Sequence, residues 1–247
     1  MTSKSLPQLL ELPEAELRRL VDEGEPQDRL RAAWALALRL GPHASSALRD
    51  LVGGDVGEGL RQQLIVVLAG LGERSVVLEI ARHEPNERVR ATATAYVIRT
   101  APAGEDEQAR SFAAGKLRDE SAAVRLAALG EIGARRLTID VDAVRPLLDA
   151  SDFEEKRGAV LAIMALAAAD TRATEVLAAH IGASDGAAQE IVASLARSEV
   201  VDLLRVLGDG DAAAIAAVLR ALLHGSLEIG WDDVSFLFAR TELAVAD

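Results

Sequence analysis

Five arginines recur at intervals of 30, 29, 35 and 32 residues along this chain of 247 residues. They are Arg31, Arg61, Arg90, Arg125 and Arg157. Each has an acidic or N-capping residue five or six positions before it and mostly aliphatic residues at fixed offsets. A local pattern that returns every 20–50 residues is typical of proteins built from stacked repeats. The fold is therefore expected to be an array of similar units.

Each copy of the pattern predicts the start of a helix. An acid or serine at the first position can satisfy backbone amides that have no partner in the first helical turn. Pro26 and Pro85 are expected at the first helical position, where a missing N–H costs nothing. The five copies cover residues 25–31, 55–61, 84–90, 119–125 and 151–157.

The residues at −1, +3 and +7 from each arginine predict a buried helix face, since these positions share one side of a helix. In the first repeat they are Leu30, Trp34 and Leu38. The fifth repeat departs from the pattern, because Lys156 occupies its first position. Aromatic residues make up only 3% of the chain, which favours closely packed helices over a β-sandwich.

A shorter apolar-periodic segment precedes each of these helices, with glycine, proline and polar residues between them. The repeat unit is therefore expected to be two antiparallel helices in about 30 residues. The preceding segments are 13–23, 44–52, 74–82, 107–117 and 141–150. Later helices are expected at 171–181, 186–197, 199–207, 211–224 and from about 232 to 243.

These patterns predict an all-α fold, a superhelical α-solenoid of about seven antiparallel helical pairs. Residues 7–247 are expected to form one such domain. The repeats are regular to about residue 169, and residues 170–247 are expected to be degenerate capping repeats. Residues 1–6 are expected to be a frayed tail.

The repeated unit is an acid, often a proline, then Val or Leu, Arg and nearby alanines, and it resembles a HEAT repeat. It is most similar to the short bacterial type first described in phycobilisome lyases. The resemblance covers roughly Pro7 to His224 and is strongest from Glu25 to Leu166. It implies a right-handed superhelix, a role as scaffold or adaptor, and a concave face lined by the second helix of each pair. It also implies that the arginines and acids tie adjacent repeats.

The five arginines are therefore interpreted as a structural ladder between repeats, since each guanidinium offers five hydrogen-bond donors in a fixed fork. The alternative is a basic stripe that holds an acidic peptide or a phosphate. Polar residues off the core stripe are the candidates for contact with a partner protein or peptide. They are Arg39, Gln62, Gln63, Thr92, Tyr96, Arg99 and Glu131.

A cluster of aromatic residues near the C-terminus is a second candidate for contact with a partner. Trp231, Phe236 and Phe238 lie within eight residues, beside Asp232 and Asp233. They predict either a cap that seals the last repeat or an aromatic anchor for a partner. The last quarter of the chain also carries more than half of the acidic excess, as a solubilising surface or as a docking end for a basic partner.

No catalytic, cofactor-binding or metal-binding motif is found. The absence of cysteine excludes thiolate catalysis and cysteine-ligated zinc. The four histidines form no HExxH motif or i, i+4 pair, and His83-Glu84 is a single dyad. The glycine-rich residues 53–59 lack the Lys-Ser/Thr of a phosphate-binding loop. We therefore expect a non-catalytic protein that needs no cofactor.

Two other function classes remain as alternatives. One is an enzyme or accessory lyase that uses the same groove. The other is a DNA glycosylase or nucleic-acid binder built from HEAT-like repeats. The net charge of −12 argues against the latter, because a phosphate backbone is repelled by an acidic surface.

The N-terminus predicts a protein of the cytoplasm, because no apolar segment of a secretory signal follows Lys4. The longest apolar run, Ala159 to Ala169, is about half of a membrane span. It is expected to be a buried helix, and no membrane partner is expected.

Overall fold

The computed structural model describes residues 5–53, 57–102, 106–208, 212–225, 230 and 232–237. All regular secondary structure in these ranges is helical, which confirms the all-α class. None of the helices within the described ranges has the length and apolar character needed to cross a membrane.

Fifteen numbered α-helices have bounds within these ranges. They are α1 (Leu6–Leu10), α2 (Glu14–Glu23), α3 (Pro26–Leu40), α4 (Ser45–Gly53), α5 (Glu58–Gly70), α6 (Arg74–His83), α7 (Glu87–Arg99), α8 (Asp106–Lys116), α9 (Ala122–Arg135), α10 (Val141–Val144), α11 (Phe153–Ala167), α12 (Thr171–Gly182), α13 (Asp185–Ser194), α14 (Arg197–Leu207) and α15 (Ala212–His224). Segments of 3₁₀ helix run over Gly41–Ala44 and Arg145–Asp149. Residues 232–237 are also helical.

The predicted helices correspond to α2 through α15, with ends that differ by a few residues. Two details of the termini differ from expectation. Leu6 begins α1 rather than ending a frayed tail, and residues 1–4 lie outside the described ranges. The last predicted helix is described only over 232–237, because the residues that follow lie outside those ranges.

Pro85 does not occupy the first helical position that the sequence predicted for it. The N-cap of α7 is Asn86, whose side chain accepts hydrogen bonds from the backbone amides of Arg88 and Val89. Pro85 therefore precedes the cap. Pro26, in contrast, does begin its helix. The difference arises because an asparagine side chain next to Pro85 is itself a strong capping group.

The chain divides into two compact units. Unit 1 contains Met1–Phe112 and Asp119–Ala128. Unit 2 contains Ala113–Arg118 and Leu129–Asp247. The division falls within α8 and within α9, so each of these helices contributes to both units.

In unit 1, α3 packs beside α5, and α5 packs beside α7, while α2 and α6 pack against the helices that follow them. The core is almost entirely aliphatic and alanine-rich, as the low aromatic content requires. Gly24 makes the tight turn between α2 and α3 possible. A Cβ at this position would lie 2.3 Å from the carbonyl oxygen of Leu20.

In unit 2, side-chain caps mark the start of three successive helices. Asp152 accepts from the amide of Glu155, Asp170 from that of Arg172, and Ser184 from that of Ala187. These caps satisfy amides that have no partner within the first helical turn. Helix α11 packs against α12, α13 and α14.

Candidate functional site

A buried carboxylate between α6 and α7 ties three segments of unit 1. Glu84 Oε1 accepts the backbone N–H of Asn86 at 2.9 Å, and Oε2 accepts a hydrogen bond from the guanidinium of Arg61. Arg61 Nε also donates to the carbonyl oxygen of Val52 at 3.0 Å. Glu84 therefore supports the start of α7 while it holds an arginine of α5.

The same arrangement occurs one repeat later. Asp119 Oδ1 accepts the backbone N–H of Ser121 at 3.1 Å and the Nη2 of Arg90 at 3.1 Å. Arg90 is buried, with 8% of its side chain exposed, and the side chain of Asp119 is 11% exposed. Arg90 Nη1 donates to the carbonyl of Glu84 at 2.6 Å, and Arg125 Nη1 donates to that of Asp119 at 2.7 Å.

Each of the acids Glu84 and Asp119 thus stands six residues before the arginine of its own repeat. Its carbonyl accepts from that arginine, and its carboxylate accepts from the arginine of the preceding repeat. We call this set of contacts the acid–arginine ladder. It consists of Arg61, Glu84, Arg90, Asp119 and Arg125.

A second row of contacts runs parallel to the ladder. Glu58 Oε2 accepts from the side-chain amide of Asn86 at 3.1 Å, and Glu87 accepts from the hydroxyl of Ser121 at 2.9 Å. The hydrogen bond from Asn86 holds the pKa of Glu58 below its ordinary value, and the nearby Arg88 guanidinium acts in the same direction. Successive repeats of unit 1 are therefore joined at two equivalent positions.

The first repeat uses Arg29 where the sequence pattern pointed to Arg31. Arg29 Nε donates to the carbonyl of Val21 at 2.8 Å, as Arg61 does to that of Val52. Counted from Arg29, the residues at +3, +4 and +7 are buried, as they are when counted from Arg61 and Arg90. The side chain of Arg31 is 41% exposed and lies 3.9 Å from Asp28. The position predicted from the sequence for the arginine of this repeat, Arg31, is therefore two residues beyond the position that the structure gives, Arg29.

This shift turns two expected core residues outward. Trp34 is 37% exposed and Leu38 is 61% exposed, although both were predicted to lie in the buried stripe. Small residues fill the core in their place, because the alanines at 32, 33, 35 and 37 are buried. Sequence reasoning missed this exposed pair, and the signal that could have found it is the run of alanines on the opposite side of α3.

The predicted partner-binding residues of unit 1 lie on α3, α5 and α7. Gln62 Nε2 and the hydroxyl of Thr92 both donate to the carbonyl of Arg88, at 3.3 and 3.0 Å. Gln63 is exposed, and the guanidinium of Arg99 lies 5.1 Å from the centre of the Tyr96 ring. Arg39 is exposed and donates to the carbonyl of Leu12.

Trp34 and Leu38 share a face with several of these residues. We number positions from the arginines at 29, 61 and 90. Position +2 is then Arg31, Gln63 and Thr92 in the three helices, and position +5 is Trp34, Val66 and Ala95. Position +9 is Leu38, Gly70 and Arg99. All nine are at least partly exposed. Because α3, α5 and α7 pack side by side, these positions form one surface, which we call the α3–α5–α7 face.

Glu131 does not belong to this surface. It lies in the part of α9 assigned to unit 2, and it is buried. Its place six residues after Arg125 predicted a polar lining position, but the helix turns that position inward. A buried glutamate cannot contact a partner without first being exposed.

Unit 2 uses different spacings for its ion pairs. Arg157 Nη2 lies 2.6 Å from Glu199 Oε1, 42 residues along the chain, and Glu199 Oε2 also accepts the backbone N–H of Ala196 at 2.7 Å. Lys156 pairs with Glu190 and lowers the pKa of that carboxyl. Arg157 thus has an acidic partner, but not one at the repeat interval seen in unit 1.

Near the C-terminus, the helical residues 232–237 are held by α14. Arg197 pairs with Asp233, whose carboxylate also accepts the backbone N–H of Gly230 at 2.9 Å. The hydrogen bond from Arg197 keeps the pKa of Asp233 below its ordinary value. Phe236 is half-buried, with the guanidinium of Arg205 at 5.7 Å from its ring centre. The predicted sites at Trp231 and Phe238 lie outside the described residues.

The geometry offers no constellation for metal chemistry within the described ranges, where no group of three or more His, Asp or Glu side chains could hold an ion. The histidines that contact acids do so singly. His83 lies 3.5 Å from Glu79, and His180 lies 3.8 Å from Asp149.

Comparisons with known proteins give no family assignment. No family model matches the chain, and no curated protein matches it. Among solved structures, the chain is similar to an X-ray structure of YibA from E. coli, with 18% identity and a TM-score of 0.40. That similarity covers 91% of this chain and all of YibA.

Proposed function

We propose that the protein is a non-catalytic scaffold or adaptor that binds another protein or peptide through the α3–α5–α7 face. The observation that carries this proposal is the exposed pair of Trp34 and Leu38, one helical turn apart on that face. Tryptophan is enriched among the residues that dominate the binding energy of protein interfaces. The neighbouring polar side chains Gln63, Thr92 and Arg99 fit the rim of such an interface.

We also propose that the helical pairs stack as a HEAT-like α-solenoid. The acid–arginine ladder supports this proposal, because the contact between Arg61 and Glu84 returns one pair of helices later between Arg90 and Asp119. Small-angle X-ray scattering tests it. A compact globule of this length would have a radius of gyration of about 18 Å. We expect a clearly larger value and an asymmetric distance distribution, whereas a value near 18 Å would contradict the solenoid.

The proposed working location is the cytoplasm. An adaptor of this kind needs neither a metal nor a cofactor. The described residues do not favour the alternatives of a lyase or a DNA glycosylase, since the carboxylates of Glu84 and Asp119 are each already engaged by an arginine and a backbone N–H.

Affinity capture with a matched set of variants tests the binding role. The test variant carries Trp34→Ala and Arg99→Glu, and the control carries Arg82→Glu on the exposed side of α6. We expect proteins captured from a lysate of the source organism by the wild type to be lost with the test variant and retained with the control. Circular dichroism checks that both variants are folded. Equal capture by all three proteins would contradict the proposal.

A further inference from the structure

The α3–α5–α7 face differs in charge from the rest of the molecule. The last nine residues of these helices, at 32–40, 62–70 and 91–99, include no aspartate or glutamate. Arg39 and Arg99 are the only charged residues among these 27. The whole chain carries 39 acidic residues and a net charge of −12, so this face is a positive region on an acidic protein.

Helix α2, which packs against α3, shows the opposite composition. It contains Glu14, Glu16, Asp22 and Glu23, beside two arginines. A basic partner would therefore be attracted elsewhere on the surface, and an acidic partner would be repelled least at the α3–α5–α7 face. Charge complementarity at this face therefore favours a partner with negative charge.

The shape of the face suits apolar side chains presented by a narrow segment. Trp34 and Leu38 offer two exposed apolar groups on one side of α3. At the position equivalent to Leu38, helix α5 has Gly70, and a Cβ there would meet no atom within 4 Å. The space over Gly70 is therefore open, and an aliphatic side chain of a partner can occupy it.

Arg99 is one of the nine positions of the face, and Arg39 follows Leu38 at its edge. Both arginines can bind carboxylates beside this apolar pair. Arg39 uses one of its five N–H donors on the carbonyl of Leu12, which fixes the guanidinium at the end of α3. The guanidinium of Arg99 rests near the ring of Tyr96. An arginine held in this way loses less side-chain entropy when it forms a charge-assisted hydrogen bond with a carboxylate.

We propose that the partner of the α3–α5–α7 face is an acidic peptide segment with aliphatic side chains, whose carboxylates pair with Arg39 and Arg99 and whose aliphatic groups pack on Trp34 and Leu38. This inference rests on the proposed function and specifies the chemistry of the ligand. It does not require the aromatic residues near the C-terminus.

Three synthetic fluorescein-labelled peptides of equal length test the proposal. The first contains Glu with Leu at every third or fourth position, the second has Lys in place of each Glu, and the third has Ser in place of each Leu. Fluorescence anisotropy with the full chain measures binding. We expect the first peptide to bind at least tenfold more tightly than either of the others, and added salt to weaken its binding.

Matched variants locate the site. We expect Leu38→Ser and Arg39→Glu each to weaken binding of the first peptide at least tenfold. Leu223→Ser and Arg82→Glu are the controls, because Leu223 is 83% exposed in unit 2 and Arg82 is exposed on α6. Both controls should leave the affinity within twofold of the wild type.

The outcomes separate this inference from the proposed function. Equal binding of the Glu and Lys peptides, both weakened by Leu38→Ser, would overturn the acidic ligand and leave the face as a binding site. Binding of the Glu peptide that neither Leu38→Ser nor Arg39→Glu weakens would overturn the inference at this face. Absence of binding by all three peptides would also overturn the acidic peptide as the ligand. In that case, loss of capture by the Trp34→Ala and Arg99→Glu variant would still support the proposed role of the face in binding a protein.

Discussion

Units 1 and 2 both use a carboxylate that accepts a backbone N–H at the start of a helix and also holds an arginine from an earlier helix, but they place that carboxylate differently. In unit 1, Glu84 and Asp119 precede their helices, and each serves the helix start and the arginine together. In unit 2, Glu199 lies inside the first turn of α14 and reaches back to Ala196 while it holds Arg157. Both units therefore contain the same kind of carboxylate contact, but the number of residues between the arginine and the acid differs.

The repeat pattern itself changes in the fifth repeat, where Ser151 stands at the position that holds an acid in the other four. The arginine of this repeat, Arg157, pairs with Glu199, 42 residues further on, rather than with an acid at the repeat interval of unit 1. The comparison shows that the contact, rather than the sequence interval, is what holds these helices together.

The largest expected effect comes from removing an acid of the ladder in unit 1. Asp119→Ala should lower the free energy of unfolding by about 3 kcal/mol, because it leaves the buried guanidinium of Arg90 with only the exposed carboxylate of Glu120, 3.6 Å away. Urea denaturation followed by circular dichroism measures this change. Asp142→Ala, which removes an exposed partner of Arg172 in unit 2, is the control and should cost at most about 0.5 kcal/mol. Similar losses for both variants would remove the distinction between a buried ladder and surface pairs.

A smaller effect is expected from the corresponding contact in unit 2. Arg157→Ala should cost about 1 kcal/mol, because both side chains of the pair with Glu199 are partly exposed. The same denaturation experiment measures it. If Arg157→Ala lowered the free energy of unfolding as much as Asp119→Ala does, solvent exposure would not explain a difference in strength between the ion pairs of the two units.

The corrected register of the first repeat sharpens the comparison within unit 1. Arg29→Ala should cost about 1 kcal/mol, because it removes the hydrogen bond to the carbonyl of Val21 from a partly buried side chain. Arg31→Ala should change stability by less than about 0.5 kcal/mol, since that side chain is largely exposed. A larger loss of stability for Arg31→Ala than for Arg29→Ala would instead support Arg31 as the arginine of the first repeat.

The smallest effect concerns the second row of contacts in unit 1. The folded-state pKa of Glu58 is lowered, so its hydrogen bonds stabilise the fold above the ordinary glutamate pKa of about 4.3 and this contribution is lost as the pH falls through the folded value. Glu58→Gln should therefore be less stable than the wild type at neutral pH, and the difference should shrink on acidification. A difference that stays constant from pH 7 to pH 3, measured by thermal unfolding, would show that Glu58 does not contribute by ionisation.

The helices could be predicted from the sequence because their signals are local. Acids, serines and prolines at helix starts and glycines between helices gave the positions of α2 through α15 to within a few residues. Apolar periodicity located the buried faces of α5 and α7 in the same way.

The register of α3 could not be predicted in this way. Its sequence offers two apolar stripes, one through Trp34 and Leu38 and another through alanines and Leu36, and both satisfy helical periodicity. Packing against α2 and α5 selects the stripe of small residues, because alanines allow helices to approach closely. The candidate site therefore became visible only once Trp34 was found on the outside.

The partner of Arg157 was also beyond sequence reasoning. A separation of 42 residues is not a repeat interval, and many acids lie between the two side chains. Only the packing of α11 against α14 brings Glu199 into reach.

Paired double-mutant cycles test most directly whether carboxylates that accept a backbone N–H at a helix start and also hold an arginine join the helices of both units. One cycle combines Arg90→Ala with Asp119→Ala, and the other combines Arg157→Ala with Glu199→Ala, each with the free energy of unfolding as readout. We predict coupling energies of about 2 kcal/mol for the buried pair and about 1 kcal/mol for the partly exposed pair. Coupling below about 0.3 kcal/mol in both cycles would show that these contacts do not hold the helices together, and would contradict the account.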